Sequence, residues 1–282
     1  MGNQFESAAG SIMGTDHRQQ FVWKNNQDAL VVREEGDCTI AVVSDGCGEG
    51  AYSELGARLT AHLTVNRLAQ IFATGQTVTP AVLDDLLEGL RMSLLLSLQP
   101  LAMEMERGSR AKAVLDHFLF TLLALVVTPV TTYVIGIGDG IYAINGEVVQ
   151  IGPFPENKPP YLAYGGLLKS TISPELVRFT VHKTIPTAEL TSALIGTDGV
   201  GDLDRAASKT LPGRKELVGP LSQFWVDDRY FKNPEGIRRR LNLINNSACQ
   251  TDWKARETTE EHGRLTDDTT LVVVRRRPQP KA

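Results

Sequence analysis

Ala41-Val42-Val43-Ser44-Asp45-Gly46-Cys47-Gly48-Glu49-Gly50 decides how this chain is read. A short apolar run of strand length ends on an aspartate, a glycine-rich turn follows, and a helical pattern begins at about Ser53. A carboxylate at the end of a buried strand, followed by backbone free to fold tightly, is how a rigid scaffold holds a site. The phrase recurs in Ile135-Gly136-Ile137-Gly138-Asp139-Gly140 and in Ala193-Leu194-Ile195-Gly196-Thr197-Asp198-Gly199. A further acidic point, Asp267-Asp268, stands just before the apolar run Leu271 to Val274. These strand-end carboxylates are expected to converge.

Outward from that stretch, residues 30–32 and 39–43 are β-branched runs joined by a turn at Gly36-Asp37. Leu55, Leu59, Leu63, Leu68, Ile71 and Phe72 fall at helical spacing, with Gly75 where a helix would stop. Thr79-Pro80 opens a second helix toward Arg107, with Pro100 as a point of kinking and Gly108 at its end. A short link between long helices predicts an antiparallel pair. Residues 118–128 and 131–137 read as strands, and Asn145-Gly146 carries a strong hairpin signal, so 118–151 reads as one antiparallel meander. Within it, Asp139-Gly140 suits a hairpin turn as well as it suits a site. Residues 152–170, rich in Pro, Gly and Tyr, read as a long loop, which in a compact domain is usually functional.

Further strands are expected at 176–182, 192–197 and 269–275, and helices at 202–209, 215–224 and 234–245. Residues 250–266 read as loop or short helix. The order is not the alternation of a parallel α/β sheet. It predicts an α+β chain of one domain, 1–282, with a core of about 10–276 and a solvated tail at 277–282.

The composition is ordinary for a folded protein: 42% hydrophobic, with a net charge of −4. Neither disorder nor a nucleic-acid partner is suggested. Cys38, Cys47 and Cys249 are far apart and odd in number, which fits a reducing compartment without a disulfide framework. The first residues carry neither a basic end nor an apolar block, and the most apolar stretch, 118–127, is too short to span a bilayer. The expectation is a soluble, cytoplasmic monomer with no membrane partner.

Several mechanisms drop out. There is no Gly-x-Ser-x-Gly elbow and no Gly-x-x-x-x-Gly-Lys loop, and the five histidines lack zinc spacing. The glycines from Gly46 to Gly50 superficially match a dinucleotide loop. Asp45 would repel a pyrophosphate there, and no strand ends on an acid roughly 20 residues later. What remains is a set of carboxylates. Hard oxygen ligands favour magnesium, manganese or calcium, and clustered aspartates repel unless cations neutralise them.

On these residues the chain resembles the metal-dependent type 2C serine/threonine protein phosphatases. Asn26-Gln27-Asp28 resembles the family's first acidic motif and Ser44-Asp45-Gly46-Cys47-Gly48 its central one. Gly138-Asp139-Gly140, Thr197-Asp198-Gly199 and Asp267-Asp268-Thr269-Thr270 followed by Leu271-Val272-Val273-Val274 resemble the later ones, in the family's order. Gly14-Thr15-Asp16-His17 and the segment Gly50 to Ala57 resemble a bacterial branch.

The resemblance implies a four-layer α-β-β-α sandwich: two packed antiparallel sheets flanked by antiparallel helix pairs. It implies two Mn2+ or Mg2+ ions, with a third, weaker position at Asp139. Asp45 would bridge the ions, the Gly46 carbonyl would bind one, and Asp198 and Asp267 would complete the second. Asp28 would act nearby through water, and Asp268 falls on the family's Asn/Asp position rather than on a ligand. The implied reaction is hydrolysis of phosphoserine or phosphothreonine in a phosphoprotein substrate by a metal-bridged water, with no covalent phosphoenzyme.

Three departures stand out. Cys47 occupies the place of a histidine proposed as general acid in many relatives. Trp23, five residues before Asp28, occupies the place of a phosphate-gripping arginine, for which Lys24, Arg18 and His17 are the candidate substitutes. Gly140 follows Asp139 where a Ser-Arg pair is common. Trp23 and Cys47 keep a second reading open, a phosphatase-like binding or regulatory protein with weak or lost catalysis. A third is a nucleotide-binding oxidoreductase built on Gly46 to Gly50.

Overall fold

Strands that are apolar on both faces need a layer on each side, and that requirement organises this molecule. A computed structural model describes residues 4–19, 25–72, 78–105, 109–168, 172–254 and 256–278. Ten strands form two antiparallel five-stranded sheets. The first runs in the order β1 (Phe5–Ile12), β12 (Thr269–Arg276), β9 (Ser192–Gly196), β6 (Gly140–Ile144), β7 (Glu147–Ile151). The second runs β2 (Ala29–Glu35), β3 (Cys38–Ser44), β4 (Leu122–Val127), β5 (Thr131–Ile137), β8 (Thr180–Pro186).

Successive side chains on a strand point to opposite faces. On β3, Ala41 and Val43 enter the core between the sheets, while Ile40 and Val42 face the helices. On β12, Val272 and Val274 point inward, and Leu271 and Val273 outward. One outer face is covered by α2 (Ser53–Phe72), α3 (Pro80–Met105) and α4 (Arg110–His117). The other is covered by α5 (Gly199–Arg205), α6 (Gln223–Val226), α7 (Arg229–Lys232) and α8 (Gly236–Asn245). The expected α+β sandwich of four layers is the observed fold. Among the described residues no helix is long and apolar enough to cross a membrane.

The chain between residues 118 and 151 is not a single meander. β5 pairs with β4 and β8, whereas β6 pairs with β7 and β9, so Gly138-Asp139-Gly140 carries the chain from one sheet to the other. Gly138 and Gly140 hold φ of +92° and +143°, values that favour glycine. A Cβ on Gly138 would also lie 2.6 Å from Thr121 Cγ2. The hairpin reading of Asp139-Gly140 is therefore replaced by a sheet crossing.

Other departures have local causes. The expected helix over 215–224 is mostly turn, because Gly213 and Gly219 adopt φ of +66° and +82° and Thr210 bridges Leu217. Residues 250–266 contain a hairpin instead, in which β10 (Ala248–Asp252) pairs with β11 (Glu257–Glu261). β8 begins at Thr180, four residues after the expected start, because residues 174–177 form a short 3-10 turn. α4 was not among the expected elements, and Pro100 sits inside α3 without ending it.

α2 keeps its predicted span and buries Leu68 and Phe72 of the helically spaced set together with a row of small residues. Gly56, Ala57, Thr60, Ala61 and Thr64 are buried, while Leu55 is 45% exposed. Small residues let the helix lie close to its neighbours: a Cβ on Gly56 would stand 2.1 Å from the His117 carbonyl oxygen. Gly56→Ala should lower stability by about 1–3 kcal/mol through overpacking. Gly89 in α3 has open space around it, so Gly89→Ala should raise stability by about 0.5–1 kcal/mol. Urea midpoints of the two variants should therefore move in opposite directions.

Candidate functional site

The rim where both sheets end collects the acidic residues. Asp45 follows β3 and is pinned by a strand-like exchange with Thr121. Its N–H donates to Thr121 Oγ1 at 3.3 Å, and the Thr121 N–H donates to the Asp45 carbonyl at 2.8 Å. The next amide, Gly46 N–H, donates to the Gln27 carbonyl at 3.2 Å, and a Cβ on Gly46 would lie 2.7 Å from that oxygen. Asp198 follows β9 and opens α5, whose first turn approaches the head of β12. A Cβ on Gly199 would sit 2.0 Å from the Asp268 carbonyl. Asp139 arrives from the crossing between sheets.

Asp45, Gly46, Asp139, Asp198 and Asp267 line one cavity of about 390 Å³, together with His17 and residues of the 152–168 loop. Four of the five predicted aspartates and the predicted glycine are thus brought together. Asp28 is not on this cavity. It is buried, accepts a 2.8 Å hydrogen bond from the Thr197 hydroxyl, and borders a neighbouring cleft with Asn26, Arg58 and His62. The Thr270 N–H donates to the same Thr197 oxygen at 3.1 Å, so Asp28, Thr197 and β12 are one hydrogen-bonded unit.

Asp268 has a different job. Its Oδ1 accepts from Gly14 N–H at 2.8 Å and lies 3.0 Å from His17 Nδ1, and its Oδ2 accepts from Gln27 N–H at 2.6 Å. It ties the segments around residues 14–17 and 25–28 to the head of β12. Asp268→Ala would leave two buried amides without an acceptor, at a cost of about 1–3 kcal/mol each. A thermal melt should show that loss, and Asp268→Asn should recover part of it.

His17, one of the predicted phosphate-side residues, lines the cavity while contacting Asp268. Lys24, like Trp23, lies outside the described residues, as does the side chain of Arg18. Sequence reasoning missed the Gln27 amide, which donates to Ser53 Oγ at 2.7 Å and the Gly50 carbonyl at 3.1 Å. That side chain shapes the Gly46–Gly50 turn. The amides of Gly46, Cys47 and Gly50 are all bonded to protein carbonyls, so they do not form a pyrophosphate cradle.

The electrostatics follow from crowding. Burial raises the Asp45 carboxyl well above the usual range, and Asp198, Asp28, Asp267 and Asp139 push it further. Burial likewise raises Asp198, to about 7, with Asp267 and Asp139 adding to it. Asp28, Asp139 and Asp267 are raised too, each chiefly by burial. Asp267 is exposed as a residue, yet its carboxyl is crowded by protein where it faces the cavity.

Such a group of acids cannot all ionise unless a cation is present. Asp139 Oδ1 is buried with no hydrogen-bond partner among the described residues. An all-oxygen donor set with an unpaired carboxylate atom fits hard divalent cations. Among the described residues no three His, Cys, Asp or Glu side chains close into a metal-holding group. The aspartates ring the cavity rather than meet, so carbonyl and water oxygens would complete any coordination shell.

Solved structures that share this fold include bacterial serine/threonine phosphatases. Stp1 from Staphylococcus aureus superposes with a TM-score of 0.52 at 12% identity, over 99% of this chain and 97% of that one. The S. agalactiae serine/threonine phosphatase gives 0.51 at 14%, over 97% and 100%. PppA of Pseudomonas aeruginosa, described as a key regulatory component of a type VI secretion system, gives 0.52 at 18%, over 97% and 98%. At these identities the likeness shows the fold. The model of the protein phosphatase 2C family matches residues 13–227, and the chain belongs to that family. No curated protein sequence matches it. The family generally uses divalent metals, and its members act on phosphoproteins.

Proposed function

We propose that this protein hydrolyses phosphoserine and phosphothreonine esters in proteins and depends on Mn2+ or Mg2+. The observation that carries the reading is the ring of aspartates from both sheets around one cavity, each carboxyl held above its usual pKa by burial and by the others. Asp45, Asp198 and Asp267, with the Gly46 carbonyl, are the residues we assign to two ions, and Asp139 to a third. When bound, the ions supply Lewis acidity toward a phosphoryl oxygen and lower the pKa of water.

The chain's own groups do the holding. Thr121 and Gln27 fix the turn that presents Asp45 and Gly46. Thr197 orients Asp28, whose charge bears on Asp45 and Asp198. Two residues after Asp45 the chain carries Cys47 rather than a histidine, and its thiol lies within reach of the Tyr161 hydroxyl. Water is the nucleophile on this reading, and the protein works as a monomer in a reducing cytoplasm with its three cysteines free.

Cys47 also favours the second reading, a phosphatase-like binding protein. Phosphate release from a phosphoserine peptide and from an aryl phosphate, with Mn2+ and with EDTA, separates the two. Turnover that needs metal supports the phosphatase. Metal binding without turnover on either ester supports the binding protein.

A further inference from the structure

A phosphorylated side chain entering the cavity meets a surplus of acid. Asp45, Asp139, Asp198, Asp267, Glu49 and Glu156 all line it. Among the described residues that line the cavity, Lys158 is the only lysine or arginine. A phosphate dianion needs positive charge beyond what offsets the aspartates, and a flexible ammonium is a suitable point charge for it.

The backbone that carries Lys158 is well held. Its N–H donates to the Pro155 carbonyl at 3.1 Å, closing a tight turn. Tyr161, Leu162 and Ala163, just beyond it, are buried in the core beneath α3. Further along, the Gly165 carbonyl accepts from Arg91 at 3.2 Å and the Gly166 carbonyl from Arg110 at 3.0 Å. The side chain is less committed. It is exposed, and Nζ lies 2.8 Å from Glu156 Oε2 in a pair where both partners are open to water. Exposed pairs of this kind hold weakly and exchange partners readily. Glu156 is the main cause that raises the lysine's pKa, so the ammonium is charged at neutral pH.

We infer that Lys158 is the phosphate-engaging residue of this cavity, leaving Glu156 to bind the phosphoryl oxygens of the incoming phosphoserine or phosphothreonine. The inference rests on the phosphatase reading above. It places the cation on the 152–168 loop and not on the segment before Asp28, where Trp23 stands in the sequence. Glu156 then acts as a competing partner that holds the ammonium at the cavity mouth until phosphate displaces it.

The test uses the Mn2+-loaded full chain and the variants Lys158→Gln, Lys158→Arg and Glu156→Gln. Lys158→Gln should raise KM for a phosphoserine peptide by at least about tenfold and weaken inhibition by inorganic phosphate by a similar factor. Lys158→Arg should recover most of both. Glu156→Gln should shift KM and phosphate inhibition the other way, toward tighter binding, which a merely structural pair would not do. Mn2+ affinity, read by titration, should be the same in all four proteins. Unchanged KM and unchanged phosphate inhibition in Lys158→Gln, with metal-dependent turnover intact, would overturn the inference and leave the phosphatase reading standing. If the wild-type protein releases no phosphate at all, that reading fails instead. Calorimetric titration of inorganic phosphate into wild type and Lys158→Gln then still decides, equal affinities overturning the assignment.

Discussion

Asp198→Asn should remove at least about 10²-fold of the metal-dependent rate and at the same time make the metal-free protein more stable at pH 8. The two effects have one origin. Burial and the neighbouring Asp267 and Asp139 raise Asp198 to about 7. A carboxyl whose folded pKa lies above its unfolded value contributes stability that is complete below the unfolded pKa, near 3.8, and is lost as pH rises to 7. The loss is on the order of 4 kcal/mol, shared among the interacting carboxyls. Asparagine keeps the shape and removes the charge. Melts of chelated protein between pH 5 and 8 should show a falling Tm for wild type and a shallower fall for the variant. A variant as active as wild type with metal, or equally steep in its pH response without it, would count against the assigned role.

The second large effect is the response of the wild-type protein to Mn2+. Ions that bind only the folded chain at about a thousandfold over Kd add about 4 kcal/mol, which for a chain of this size moves Tm by roughly 10 °C. Because metal competes with protons for raised carboxyls, the gain should be larger at pH 8 than at pH 5.5. EDTA should reverse it, and Asp45→Asn should abolish most of it. A Tm indifferent to Mn2+ at pH 8 would remove the basis for the site.

The acidic strand ends were legible because aspartate followed by glycine after an apolar run leaves few alternatives once helices follow Asp45 and Asp198. Asp139 was less legible for a physical reason. β5 and β6 are both buried on two faces, and alternation reveals which way a side chain points, not which sheet the strand joins. On α2 leucine spacing marks the helix, but it does not show that close packing also selects Gly56 and Ala57 for contact while leaving Leu55 exposed. In the 215–224 region, Leu217, Leu221 and Phe224 mimic a helical period that Gly219 interrupts. The exposed hairpin of β10 and β11 carries no apolar alternation at all. Lys158 drew no attention in the sequence because nothing in a proline-rich loop says which cavity it overlooks.

The passage of the chain between sheets at Asp139 has a consequence for how the protein lives in a cell. Asp45 belongs to one leaf of the sandwich, Asp198 and Asp267 to the other, and Asp139 to the seam. Neither leaf alone supplies the acidic ring, so a cation held by it would tie the two together. A nascent or heat-loosened chain with its leaves apart would have nothing to offer the ion. Metal occupancy would thus report assembly of the whole sandwich, and on the proposed reading any metal-dependent turnover would be withheld from a chain whose halves have not yet closed.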